Sequence, residues 1–241
     1  MYMKLRTVYL LVFGAIFLVV LLVMISSFSN IAKLVSRDVE LSSQPTIIID
    51  AGHGGEDGGA EVDGVLEKDI NLSIARKTAD ILRLCGYSVK EVRDKDISVY
   101  SDDAETLREK KVSDLQNRVS LFNENDNNIV VSIHQNKFEN SKYHGAQIFY
   151  SKNDPGSADL AKSIQTSVVM LLQNDNTREL KPVGKGIYTM EHTEVPAVIV
   201  ECGFLSNPDE LQKLKDPAYQ QEMAYAIAMG VIDYQNQRNS K

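Results

Sequence analysis

Short apolar runs alternate along the chain with longer segments in which apolar residues recur at helical spacing. The apolar runs are predicted to form buried strands at residues 46–49, 87–92, 128–131, 146–150 and 196–201. Helical spacing predicts helices at residues 70–84, about 112–123, 157–172, 209–214 and 219–234. Strands interleaved with helices indicate an α/β fold with a mixed, mostly parallel central sheet flanked by helices.

Polar residues and glycines mark the ends of these elements and the extent of the domain. Asp69 is predicted to cap the helix at 70–84, and Gly86 is predicted to end it. The charged stretch 94–111 is predicted to be an irregular loop. We expect a single globular domain over residues 45–237, of a usual size for one hydrophobic core, with a linker at 30–44 before it.

The first 29 residues are apolar and have a different composition from the rest. Lys4 and Arg6 precede a run without charged residues from Thr7 to Asn30. This run is long enough for a signal peptide or a membrane anchor, and the positive charges favour a cytoplasmic N-terminus. We therefore expect residues 1–29 to be one of these two, and the remainder to be exported across the cytoplasmic membrane.

The charge balance argues against one class of partner. The formal net charge is −7, and leaving out the two positive charges of Lys4 and Arg6 takes the exported part to −9. Such an acidic surface argues against nucleic acid as a partner. It also gives no attraction to anionic wall polymers, so localisation is expected to depend on the membrane segment or on an accessory protein.

The candidate chemistry lies where predicted strands end. His53 follows the first strand in a glycine-rich turn, and His134 ends another strand, although the chain has only four histidines. Glu67 lies between them, and Glu201 follows four apolar residues without a break. Two histidines and a carboxylate can bind zinc and leave a fourth position for water, while a second carboxylate can carry protons.

Each of these residues also has a simpler interpretation. A histidine at a strand end can bond only to backbone, and Glu67 can be an ordinary charge at a helix N-terminus. Glu201 is harder to explain in this way, because a buried carboxylate without a partner is costly. Cys85 and Cys202 are predicted to be separate buried thiols. The spacings match no short, local zinc motif, so residue types favour a zinc site without establishing one.

Several separated motifs, in this order, resemble the zinc-dependent N-acetylmuramoyl-L-alanine amidases of bacterial cell walls. The resemblance extends from Thr46 to Tyr234, and an ordered set of motifs is far more specific than any one of them. Two positions depart from the family pattern: Ala51 stands where proline is usual, and Gln135 where alanine is frequent. The motifs are Asp50–Gly59, Glu67, Ser132–Asn136 and Val200–Asn207, with weaker matches at Arg93, Asp96, Leu115, Arg118 and Asn123.

The resemblance implies a role for each candidate residue. Zinc would be bound by His53, Glu67 and His134, and Glu201 would be the catalytic carboxylate. Asn136 and Arg118 would contact the substrate or support the ligands, with a structural ion pair as the alternative for Arg118. The substrate would be peptidoglycan. Within the family, the short build and residues 107–122 and 177–190 resemble the spore-cortex amidases, which prepare muramic acid for conversion to muramic lactam.

The sequence leaves two other functions open. A zinc peptidase that cleaves bonds within the stem peptide would use the same ligands and release a peptide fragment. A catalytically quiet wall-binding or scaffold protein could also be built on an amidase fold. The presence of Glu201 together with all three candidate ligands argues against the quiet protein, because binding alone needs no general base.

Overall fold

The computed structural model describes residues 14, 16, 18–19, 21–24 and 45–240. The chain divides into two compact units, Met1–Gln44 and Pro45–Lys241. The predicted signal or anchor segment at 1–29 lies mostly outside the described residues, and those of its residues that are described are helical. Within the described part of the chain, no helix combines the length and apolar character needed to cross a membrane.

Six of the eight strands found in the described residues form one central sheet. Its order is β4-β1-β5-β8-β6-β7, and its pairs are parallel except for β6, which runs antiparallel to β8. The predicted α/β class with a mostly parallel sheet is therefore confirmed. The strands are β1 (Thr46–Ala51), β2 (Glu61–Val62), β3 (Val65–Leu66), β4 (Ser88–Glu91), β5 (Ile129–Asn136), β6 (Gln147–Tyr150), β7 (Lys181–Pro182) and β8 (Ala197–Phe204), of which β2 and β3 form a separate hairpin.

Helices cover both faces of the sheet and bury two apolar clusters. Side chains alternate along β1, so Ile47 and Ile49 lie in the larger cluster and Ile48 in the smaller one. The larger cluster packs against α1, α3 and α6, and the smaller one contains Phe122 of α2 and Met190 of α4. The helices are α1 (Glu67–Leu84), α2 (Leu107–Phe122), α3 (Gly156–Leu171), α4 (Tyr188–His192), α5 (Pro208–Lys215) and α6 (Pro217–Asn239).

The helix α2 begins five residues before its predicted start. Thr106 and Glu109 form a capping box, in which Glu109 N donates to Thr106 Oγ1 at 3.2 Å and Thr106 N donates to Glu109 Oε2 at 2.9 Å. These bonds satisfy backbone N–H groups that a helix N-terminus otherwise leaves without partners. The predicted loop at 94–111 is therefore irregular only as far as this cap.

The helix α1 also begins earlier than predicted, and this shift positions Glu67. The chain passes directly from β3 into the helix, and the N-cap is Leu66 rather than Asp69. The backbone N–H of Glu67 donates to Ala60 O at 2.8 Å, which takes the place of a side-chain cap. Glu67 thus lies in the first helical turn, where the helix dipole favours a carboxylate.

Both cysteines are free, as predicted, but only one of them is buried. Cys202 lies in β8 and contributes to the larger apolar cluster. Cys85 is exposed because it is the C-cap residue of α1, next to Leu84, whose side chain also faces solvent. The prediction that Cys85 is buried was therefore wrong.

Candidate metal and catalytic centre

The candidate residues meet at the carboxyl edge of the three central strands. In the parallel register of β5 and β8, His134 lies directly beside Glu201. His53 follows the end of β1, and Gly52 N donates to Ile133 O at 3.0 Å, which keeps the turn against β5. Open α/β sheets commonly bind ligands at this edge.

The Glu67 carboxylate lies between the two imidazoles. Its Oε2 is 3.3 Å from His53 Nε2, and its Oε1 is 2.9 Å from His134 Nδ1. The three residues each offer one ligand atom, and these atoms all lie within 4.8 Å of one another. Ligands in a tetrahedral zinc site lie about 3.4 Å apart, given bonds of about 2.0–2.1 Å. The two distances from Glu67 to the imidazoles are close to this spacing, and the nitrogen and oxygen donors suit zinc.

Two glycines and an unusual histidine backbone make this approach possible. His53 has φ of 63°, in the left-handed region, where residues are often held for function. A Cβ on Gly52 would lie 2.2 Å from the His134 ring. Gly59 has φ of 68°, and a Cβ there would lie 2.7 Å from Glu67 Oε2. The close packing of imidazole and carboxylate thus requires glycine at both positions.

Hydrogen bonds fix the orientation of His53 and Glu67. Asp57 Oδ2 lies 2.9 Å from His53 Nδ1, which leaves Nε2 facing Glu67. The Glu67 carboxylate accepts from Ala60 N at 2.8 Å and from Gln135 N at 3.1 Å. Metal-binding histidines commonly bond a carboxylate through the second ring nitrogen. Sequence reasoning missed Asp57, whose only signal is its position four residues after His53.

The Gln135 side chain has a structural contact of its own. Its Nε2 donates to Asn71 Oδ1 at 3.1 Å, and Asn71 Nδ2 donates to Gly52 O at 3.1 Å and to Glu67 Oε1 at 3.3 Å. Glutamine at position 135, where the family frequently has alanine, therefore adds a hydrogen bond to the network that holds Glu67.

The electrostatics of the centre are strongly perturbed. Burial opposes the charged imidazole of His53, but hydrogen bonds to Asp57 and Glu67 raise its pKa to about 9. Burial also acts on Glu67, yet the two imidazoles hold the pKa of this carboxyl well below its usual range. Burial, together with the charge of Glu67, raises the pKa of Glu201 to about 7.

The Glu201 carboxylate differs from that of Glu67 in its contacts. Its Oε2 is buried and has no hydrogen-bond partner among the described residues. A buried carboxylate oxygen normally has a partner, so its isolation here suggests a chemical use. A cavity of about 330 Å³ is lined by His53, His134 and Glu201 together with residues 186–189.

Arg118 lies beneath this centre in a buried ion-pair network. It pairs with Asp50 and Asp114, and its Nη2 donates to the backbone oxygen of His53 at 2.9 Å. The ion pair considered for Arg118 is thus present, and it supports the turn that carries His53. Asn136 ends β5, where its backbone oxygen accepts from Leu205 N at 2.8 Å.

The sequence matches the family described as N-acetylmuramoyl-L-alanine amidase over residues 47–233. The chain belongs to this family. It is similar to the germination-specific N-acetylmuramoyl-L-alanine amidase of Bacillus subtilis, with 35% identity over 218 residues, which cover 90% of this chain and 91% of that relative. The predicted resemblance is confirmed, and the protein is a cell-wall amidase that hydrolyses the bond between N-acetylmuramic acid and L-alanine.

Solved amidase structures share the fold. The CwlD amidase from Clostridioides difficile, solved in complex with the GerS lipoprotein, has a TM-score of 0.77 and 41% identity, covering 80% of this chain and 100% of its own. An N-acetylmuramoyl-L-alanine amidase from Clostridium difficile 630 has a TM-score of 0.70 and 30% identity, covering 81% of this chain and 98% of its own. Peptidoglycan is thus the substrate class, and relatives are amidases of the cell wall.

Proposed function

We propose that this amidase uses zinc bound by His53, Glu67 and His134, with Glu201 as the group that carries protons. The observation that carries the proposal is the set of three ligand atoms within 4.8 Å of one another, next to a second carboxylate with an isolated buried oxygen. The nitrogen and oxygen donors are those that catalytic zinc sites use. Three protein ligands leave one position for the substrate or water.

Each group has a separate task in the proposed reaction. When bound, zinc supplies a Lewis acid that polarises an amide carbonyl and acidifies water. Glu201 accepts a proton from the attacking water and gives it to the departing nitrogen of L-alanine, leaving a lactyl carboxylate on the sugar. A pKa of about 7 suits a group that must first accept and then release a proton near neutral pH. Asp57 orients His53 throughout.

Zinc binding should release about one proton per ion at pH 7. Despite burial, hydrogen bonds to Asp57 and Glu67 raise the pKa of His53 to about 9, so at pH 7 zinc must displace its proton. As the pH rises through about 9 the proton leaves beforehand, so proton release should fall and apparent zinc affinity should increase. Calorimetry of protein stripped with a chelator, in buffers of different ionisation enthalpy, measures this release.

The control for this titration is His144→Ala, which removes an exposed histidine outside the centre. That variant should release the same number of protons and recover the same amide hydrolysis when zinc is restored. Zinc binding at pH 7 without proton release, or hydrolysis that persists after complete removal of zinc, would contradict the proposal.

We further propose that the substrate is spore-cortex peptidoglycan and that the reaction prepares muramic acid for lactam formation. The likeness to the germination-specific amidase and to CwlD supports this role. We also propose that this enzyme has an accessory protein, because CwlD was solved in complex with a lipoprotein. Spores of a strain that lacks the protein should contain no muramic lactam, and a normal lactam content in their cortex would contradict the role.

A further inference from the structure

A row of polar side chains continues from Glu201 toward the edge of the sheet. In the register of β6 and β8, Gln147 lies directly beside Glu201. Residues paired in this way point to the same face of a sheet, so Gln147 lies on the face that carries His134 and Glu201. Arg178 comes next, because its Nε donates to Gln147 Oε1 at 3.1 Å and its Nη2 donates to the same oxygen.

Several contacts hold the Arg178 guanidinium in place. Gln147 is buried, at 3% exposure, and its own Nε2 donates to Glu179 O at 2.8 Å. The guanidinium carbon lies 4.8 Å from the centre of the Phe204 ring, within the range of a cation–π contact. The backbone N–H of Arg178 donates to Asn176 Oδ1 at 2.9 Å. Arg178 is therefore an ordered cation rather than a mobile surface charge.

No carboxylate among the residues that the structure describes forms an ion pair with Arg178. The charges of Glu210 and Glu201 act on this cation from a longer distance. The nearby Glu210 carboxylate is already used, since it accepts from Gly145 N at 2.9 Å and from Phe204 N at 2.8 Å. A guanidinium has five N–H donors, of which Gln147 takes two.

A half-buried guanidinium with unused donors is suited to a carboxylate ligand. Planar guanidinium groups bind carboxylates through two parallel hydrogen bonds. Neighbouring strands lie about 4.8 Å apart, so Gln147 lies about that far beyond Glu201, with Arg178 one hydrogen bond further. About two residues of extended peptide span this distance. If the amide nitrogen of the first peptide residue lies at Glu201, the second peptide residue therefore reaches Arg178.

We propose that Arg178 binds the free α-carboxylate of the second stem-peptide residue and so selects D-isoglutamate over its amidated form, D-isoglutamine. The inference rests on the proposed function, which places the amide of L-alanine at Glu201. In the stem peptide the chain continues through the γ-carboxyl group of this second residue. Its α-carboxyl group is therefore free to meet a cation unless it has been amidated.

The test compares two substrates that differ only at this group. The zinc-loaded full chain is given muramoyl-L-alanyl-D-isoglutamate or muramoyl-L-alanyl-D-isoglutamine on the same glycan, and kcat and KM are measured for each. The wild type should favour the acid by about 10- to 100-fold in kcat/KM, the effect of one or two charge-assisted hydrogen bonds. Arg178→Gln should remove this preference by slowing cleavage of the acid alone, mainly through KM.

Two further variants separate binding from structural damage. Arg178→Lys keeps the charge but loses the planar fork, so it should retain only part of the preference. Arg76→Gln removes an exposed cation from α1 and should retain all of it. Equal kcat/KM values for both substrates with the wild type, or an equal loss on both with Arg178→Gln, would overturn the inference. Cleavage of neither substrate by the wild type would instead refute the proposed function.

Discussion

Replacing Glu201 with glutamine is expected to reduce kcat by about 10²- to 10⁴-fold, the usual contribution of general acid–base catalysis. Glutamine has nearly the same shape as glutamate but cannot accept and return a proton. The candidate zinc ligands are untouched by this change, so the variant should still bind one zinc ion per chain. Release of L-alanine amino groups measures the rate, and metal analysis measures the zinc.

A matched control for this variant is Glu222→Gln, which makes the same chemical change at an exposed position of α6. It should keep the full rate. If Glu201→Gln kept a rate within about 10-fold of the wild type while zinc-loaded and folded, the role of Glu201 as proton carrier would be wrong, because general acid–base catalysis usually contributes more.

Replacing His134 with alanine is expected to remove zinc and amide hydrolysis together. The loss of affinity should exceed about 100-fold, the upper end of what is lost when only a group supporting a ligand is removed. His134 Nδ1 is 2.9 Å from Glu67 Oε1, and its ring fills the space above Gly52. The variant therefore loses a proposed ligand and also leaves Glu67 less constrained.

Dialysis against a defined free zinc concentration, followed by metal analysis, measures this effect. His144→Ala is a suitable control, because His144 is exposed and lies outside the centre. Circular dichroism of both variants shows whether they fold. A folded His134→Ala protein that bound zinc as tightly as the wild type would exclude His134 as a ligand.

The hydrophobic pattern was sufficient to predict the fold class and the part of the sheet that carries the site. Apolar runs that end in His53, His134 and Glu201 predict parallel strands, and such strands align their carboxyl ends at one edge. The register observed in the structure then brings His134 beside Glu201. The start of α2 was missed although Thr106 and Glu109 have the spacing of a capping box.

Other parts of the site depend on contacts that the local sequence does not encode. Asp57 contacts His53 across a turn in which His53, Gly54 and Gly55 all have positive φ. Arg178 is held beside Gln147 and Phe204, two residues that are distant from it in sequence. Arg118 could be read from sequence as a substrate contact or an ion pair. Its pair with Asp114 follows from helical spacing, whereas only the fold reveals the pair with Asp50.

The most direct test of the proposed function is mass spectrometry of purified peptidoglycan after digestion by the zinc-loaded protein, with Glu201→Gln alongside. The wild type should release muramic acid without peptide and new L-alanine amino termini, and the variant should release at least about 100-fold less of both in the same time. Fragments cut within the stem peptide would contradict this function, and so would muramic acid without peptide in equal amounts from both proteins.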